Sequence, residues 1–229
     1  MDAGLSRRHS SVAAFLVVFL LFTNENFLNG AGQPHDFRLN RRYLESFFSD
    51  FRQVGTSPLR WKKKDLIRFS AIVTAGSFLL VLDSEINDWV EQQRTSTSRD
   101  ISRMISPLGH GLFLGSSLIV LYGSGEILEN KQLRKTALLG LESWIISGVI
   151  VTGLKFFIGR QRPSHSEKGM NFHPFSLRSC YHSFPSGHAS SAFAVATTIA
   201  DQSEELAVDI LAYSMAALVA LSRIHDAKH

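Results

Sequence analysis

Three short clusters hold residues fit to handle phosphate. The first is Lys155-Phe156-Phe157-Ile158-Gly159-Arg160-Gln161-Arg162-Pro163, the second Pro185-Ser186-Gly187-His188, and the third Ser222-Arg223 followed after five residues by His229. A phosphate monoester carries close to two negative charges. Its hydrolysis needs those charges neutralised, a nucleophile in line and a proton for the leaving oxygen. Lys155, Arg162 and Arg223 supply three cations, and arginine's planar fork pairs with two phosphate oxygens at once. Ser186 adds a hydroxyl donor, and Gly187 lets its backbone N–H approach an oxygen without side-chain hindrance. Imidazole serves both as nucleophile and as proton donor. Of His188 and His229, one is expected to form a covalent phosphohistidine, and the other to protonate the departing alcohol and then activate water.

The elements around these clusters must bring them together. The first cluster ends an apolar segment, Ala137–Leu154. The second begins another, Ala189–Ala200, and the third ends Ala207–Leu221. Ser183 is read as an N-cap with Pro185 in the first helical turn, so that free N–H groups and the helix dipole face the anion. Two further apolar segments, Phe69–Leu82 and Gly111–Tyr122, precede them. All five are rich in Gly, Ala, Ser and Thr, which permit close helix contact in a membrane bundle. Only Ala137–Leu154 approaches a full span by itself. Glu142 and Asp209 would have to face the bundle interior in lipid. The fold class expected is all-α, a bundle of about five apolar, transmembrane helices.

In order and spacing the clusters resemble the three-part signature of the type-2 phosphatidic acid phosphatase and vanadium haloperoxidase superfamily. The resemblance implies His229 as nucleophile and His188 as acid–base. It implies that Lys155, Arg162, Ser186, Gly187 and Arg223 hold the phosphate. It also implies a helical bundle, six-spanning in the membrane branch, with the site at one membrane face. The family places an aspartate four residues after its third-cluster histidine. Here the sequence ends at His229, and Asp226 is not equivalent. The expectation is a C-terminally truncated copy that lacks the last helix and has little activity.

Composition narrows the partners. The chain has 229 residues, a net charge of +4, a pI near 9.4 and a mean hydropathy of +0.04. That balance suits an anionic partner, and no nucleic-acid signature accompanies it. Cys180 is the single cysteine, so no internal disulfide forms. No Cys/His or acidic cluster has ligand spacing, and neither metal nor other cofactor is expected. Residues 1–32 read as a signal peptide or membrane anchor, 33–64 as an amphipathic, basic pre-segment, and 65–229 as the phosphatase-like domain. In the pre-segment Leu39, Tyr43, Phe47, Phe48 and Phe51 share a helical face, suited either to a membrane interface or to packing on the domain. Trp61-Lys62-Lys63-Lys64 favours a cytoplasmic start for the next segment, which puts the loop 155–188 on the far side. A cleaved signal peptide would contradict that count.

The expected activity is metal-independent hydrolysis of a phosphomonoester or pyrophosphate on a lipid. Phosphatidic acid, phosphatidylglycerol phosphate, undecaprenyl pyrophosphate and a lipid A phosphate all stay open. The expected location is a membrane, the bacterial inner membrane with the site facing the periplasm. The rival readings are a soluble exported acid phosphatase, a vanadium haloperoxidase and a protein that binds anionic lipid without turnover. The remaining histidines, His110 and His225 among them, are assigned no catalytic role, and Arg160 is read as a solvated loop residue.

Overall fold

The computed structural model describes residues 37–81, 83–161 and 171–226. The signal-peptide or anchor segment, Arg162 and His229 all lie outside the described residues. Within them the chain forms eight α-helices and no β-strand, which matches the all-α expectation. They are α1 (Arg41–Thr56), α2 (Lys63–Val81), α3 (Asp83–Gln92), α4 (Ser96–Ile105), α5 (Gly111–Ile127), α6 (Lys131–Ile158), α7 (Gly187–Gln202) and α8 (Leu206–His225). A 3₁₀ turn, Ser106–Gly109, joins α4 to α5.

Local chemistry sets several of the boundaries. Asn40 caps α1 by accepting from the Tyr43 N–H (2.9 Å), and Asn130 caps α6 by accepting from Gln132 and Leu133. Thr95 and Ser98 form a reciprocal capping box at α4. At the other end of α6, Gly159 adopts the left-handed conformation (φ +60°) that closes the helix.

The bundle packs α5 on α6, α6 on α7 and α7 on α8, with α4 laid across α8. Helix α7 is the most enclosed. Its Ala192, Phe193 and Ala196 meet Ala216, Val219 and Ala220 of α8. Alanines four apart on both helices leave each a shallow stripe, so the two backbones approach closely. Outside this core the surface is apolar as well. Phe113, Ile119 and Val120 of α5, Val149 and Phe157 of α6, and Ile210 and Leu211 of α8 are exposed. An apolar core within an apolar exterior is what a lipid surround requires. Helices α6, with 28 residues, and α8, with 20, are each long and apolar enough to cross a membrane. The pair from Ser96–Gly109 to Gly111–Ile127, bent by 57°, makes a third if it counts as one span. At about 1.5 Å per residue α6 is about 42 Å long.

The pre-segment packs on the domain at its start. Phe37 and Tyr43 are buried with Leu138, and the Tyr43 hydroxyl donates to the Leu138 carbonyl (3.0 Å). Leu39 and Phe48 of the expected apolar face stay exposed. Glu142 is buried, as a charge in such a helix must be, and faces Asp50 of α1. Burial lifts the Asp50 carboxyl above its ordinary range, outweighing the hydrogen bond it shares with Glu142. Asp209 falls in the first turn of α8, where the helix dipole favours a carboxylate.

Candidate active site

The ends of α6, α7 and α8 that carry the three clusters all lie at one end of the bundle. Lys155 sits in the last turn of α6, where its carbonyl accepts from the Gly159 N–H (2.9 Å). The chain then returns along itself. His173 N–H donates to Gly159 (2.7 Å), Gln161 N–H to Asn171 (2.9 Å), and Phe175 N–H to Phe156 (2.7 Å). A Cβ on Gly159 would run into the His173 carbonyl, so glycine is required there by space as well as by φ.

Ser183 joins this return to the second cluster, but it is not the N-cap. It is fully buried, and its hydroxyl lies 3.0 Å from the carbonyls of both Arg160 and Gln161. The N-cap is Ser186, whose oxygen accepts from the Ala189 N–H (3.4 Å), and Gly187 is the first helical residue. Pro185 therefore precedes the helix instead of starting it. The reason is that the Ser183 side chain is spent on holding the two loops together, three residues before the N-cap of α7. Capping takes up a lone pair of Ser186 and leaves its O–H proton to donate outward. Arg160 is also corrected: it is 4% exposed, not a solvated loop residue, because the return segment covers it.

A cleft of about 560 Å³ opens at the start of α7, and Lys155, Gly187, His188 and Ser190 line it together with Gly109, Trp144 and Thr152. Lys155 Nζ comes within 3.3 Å of where a Cβ on Gly187 would stand. A lysine cation thus faces the first turn of a helix, whose dipole also attracts an anion. His188 enters from that same turn. Its ring meets the ring of His110 edge-to-face, with centroids 5.6 Å apart. His110 itself caps α5, its Nδ1 accepting from the Leu112 N–H (3.3 Å). That acceptor role puts the proton of the neutral ring on Nε2.

Arg223 reaches this end of the bundle without lining the cleft. It is buried in the last turn of α8 and donates to Ser106 Oγ (2.7 Å). Ser106 opens the 3₁₀ turn whose Gly109 packs on His188: a Cβ on Gly109 would lie 3.1 Å from the His188 Cβ and carbonyl oxygen. Asp226 accepts from Ser102 (2.8 Å) and lies 4.0 Å from Arg223. His225, given no role by the sequence, lies 3.0 Å from Ser98 Oγ. The structure thus brings Lys155, Ser186, Gly187 and His188 together and sets Arg223 behind the turn beside them. Sequence reasoning missed Ser106 and the His110–His188 contact, and it gave Ser183 the wrong partner. The run Ser106-Pro107-Leu108-Gly109 is a legible turn signal, but nothing in it points to Arg223.

Residues 136–229 match the model of the PAP2 superfamily. The chain is 29% identical over 168 residues to a lipid A 1-phosphatase of Rhizobium johnstonii, covering 67% of this chain and 63% of that protein. It is 28% identical to a lipid A 1-phosphatase of Rhizobium etli, over 58% of this chain and 61% of that protein. A probable diacylglycerol pyrophosphate phosphatase of Schizosaccharomyces pombe is 31% identical over 48% of this chain and 51% of its own length. The chain spans about three-fifths of the length of the two lipid A 1-phosphatases. No solved structure matches it.

Proposed function

We propose, on the premise that residues 136–229 belong to the PAP2 superfamily, that this chain is a lipid phosphatase working through a phosphohistidine. The observation that carries the reading is the approach of Lys155 Nζ to Gly187 at the start of α7, with His188 in the same cleft. This is a preformed seat for a phosphoryl group beside an imidazole, opening on an apolar surface. In the proposed reaction an imidazole nitrogen of His229 attacks phosphorus, and the bond to the leaving oxygen breaks as His188 protonates that oxygen. His188 then takes a proton from water, whose oxygen attacks the phosphohistidine and releases inorganic phosphate. Lys155, Arg162 and Arg223, the Ser186 hydroxyl and the Gly187 N–H neutralise the charge on the non-bridging oxygens. Arg223 acts from behind the Ser106 turn unless substrate draws it forward.

The relatives' names favour a phosphorylated lipid headgroup as substrate. The exposed apolar faces of α5, α6 and α8 support a membrane location, with the site at one face. Lys131, Arg134 and Lys135 mark the opposite end of α6. A cytoplasmic position for that end follows the positive-inside tendency and turns the site outward, towards the periplasm in a bacterium. The domain is proposed to begin near residue 65, after the pre-segment.

The test is phosphate release from a lipid phosphomonoester by the full chain in detergent. Activity is expected to survive EDTA and to be inhibited by vanadate, which resembles the five-coordinate transition state. Loss on chelation with recovery on Mg²⁺ addition refutes the metal-independent mechanism. His188→Ala is expected to lower kcat at least ~10²-fold, and unchanged turnover removes His188 from the mechanism.

A further inference from the structure

We infer that the segment returning from α6 carries a membrane-inserting tip. Phe157, Phe175 and Leu177 seat in the headgroup–acyl boundary of the leaflet on the active-site side and hold the mouth of the cleft at that level. This rests on the membrane placement proposed above and goes beyond it, because the return segment belongs to no spanning helix. Three rings close on one another where the segment meets α6. Those of Phe156, Phe157 and Phe175 stand edge-to-face in every pairing, with centroids 5.6 to 5.9 Å apart. The Phe175 N–H donates to the Phe156 carbonyl (2.7 Å) and fixes the segment to the last turn of the helix. Phe175 has φ +63°, in the left-handed region that a bulky side chain rarely adopts. Burial does not account for that conformation, since Phe175 is 63% exposed, Phe157 61% and Leu177 85%. The strained backbone turns an aromatic ring outward, beside two more apolar side chains.

Depth decides what covers this patch. Lys155 stands 20 positions after Lys135 on α6, about 30 Å along the helix, which is the thickness of a hydrocarbon core. A tilt of about 20° shortens that distance only to about 28 Å. With the basic start of α6 at one boundary, Lys155 lies at the other, and Phe156, Phe157 and the attached Phe175 share its level. Ile150, Leu154 and Phe157 are exposed and spaced four and three apart, so they form one stripe along α6. The tip continues that stripe from the hydrocarbon to the headgroups, the level at which aromatic side chains gather. Charge fits the same partner. From Lys155 to His188 the described residues include Lys155, Arg160 and the exposed Arg178 but no aspartate or glutamate. A phosphate-rich surface therefore meets positive charge without opposing carboxylates.

The link to the cleft runs through Ser183. The same segment leads on to this residue, whose hydroxyl meets the Arg160 and Gln161 carbonyls just before the N-cap of α7. A tip seated in the leaflet thus holds the start of α7, and with it Gly187 and His188, at headgroup height.

The test uses the full chain with Cys180→Ser and Leu177→Cys, the new thiol carrying an environment-sensitive fluorophore. In vesicles of phosphatidylcholine and phosphatidylglycerol its emission is expected to shift to the blue, to be quenched by nitroxide-bearing lipid and to be shielded from aqueous iodide. Quenching by iodide and not by nitroxide overturns insertion. A second arm compares the parent chain with Phe175→Asn/Leu177→Ser. Asparagine tolerates the left-handed backbone and Leu177 is mostly exposed, so the fold is expected to survive, which the melting temperature in detergent checks. Phosphate release from a lipid phosphomonoester is expected to fall about tenfold in vesicles, the factor for returning one leucine-sized side chain to water. In detergent micelles, which impose no leaflet height, it is expected to hold. An equal fall in both, or a fall in neither, overturns the proposal. If the double variant turns a dimer into a monomer in detergent, the patch is an interface between copies and insertion is refuted. If the parent hydrolyses no lipid while the fluorophore lies in the leaflet, the phosphatase reading fails and the membrane tip stands.

Discussion

Replacing Gly187 by alanine is expected to perturb the proposed phosphate seat and little else. The new Cβ would lie 3.3 Å from Lys155 Nζ, and no other group among the described residues comes within 4 Å. An ammonium at the end of a four-carbon chain yields easily, so the fold loses little. The lysine, however, has to retreat by a few tenths of an ångström from the proposed phosphate position. Moving a unit charge from about 3.0 to about 3.5 Å from a dianion, at an effective dielectric near 20, costs about 1.6 kcal/mol. If that interaction tightens in the transition state, kcat/KM falls about 15-fold. The assay is phosphate release from a lipid phosphomonoester by four proteins: the parent chain, Gly187→Ala, Lys155→Ala and the double variant. In the lysine-free background the glycine substitution is expected to have little further effect, since the group it displaces is gone. Gly153→Ala, with nothing within 4 Å among the described residues, serves as the control. It should keep full activity and gain up to ~1 kcal/mol of stability from helix propensity. The reasoning is refuted if Gly187→Ala matches the parent, or if its loss persists undiminished without Lys155.

Ser183→Ala removes the hydroxyl shared with the Arg160 and Gln161 carbonyls, while the Ser183 N–H still serves Arg160. It is expected to cost about 0.5–1.5 kcal/mol of stability and to reduce activity by loosening α7 against the loop, read by denaturant titration and by turnover. Asp50→Asn tests the lifted carboxyl of α1. A carboxyl whose folded pKa is raised contributes stability below the ordinary Asp range, near 3.9, and loses it as pH rises towards the folded value. Asparagine imitates the protonated form. The variant should therefore melt higher than the parent at neutral pH and no higher at about pH 3; a lower melting temperature at neutral pH would show that the charged form is the stabilising one.

Helical segments, their rough ends and the three candidate clusters are properties of neighbouring residues, and they were legible without coordinates. The apolar runs predicted where α5 to α8 fall, and Lys155 at the end of one helix with Gly187 at the start of another implied that the two ends meet. Burial of Glu142 followed from its place in an apolar helix. Arg162 and His229 are proposed on residue type and spacing alone, and both lie outside the described residues. Partners chosen by packing were not legible. Arg223 donates to Ser106 across 117 positions, and Ser98 meets His225 across 127. Ser183 was misread as a cap because its type suits a cap, whereas its real partners come from the returning loop. Arg160 is buried for the same reason. Propensity and periodicity act over a few residues, but a hydrogen-bond partner depends on which helix faces lie against each other. That choice is made by side-chain volume across the whole bundle, as where Ala192 and Ala196 let α8 approach α7 and swing Arg223 towards the Ser106 turn.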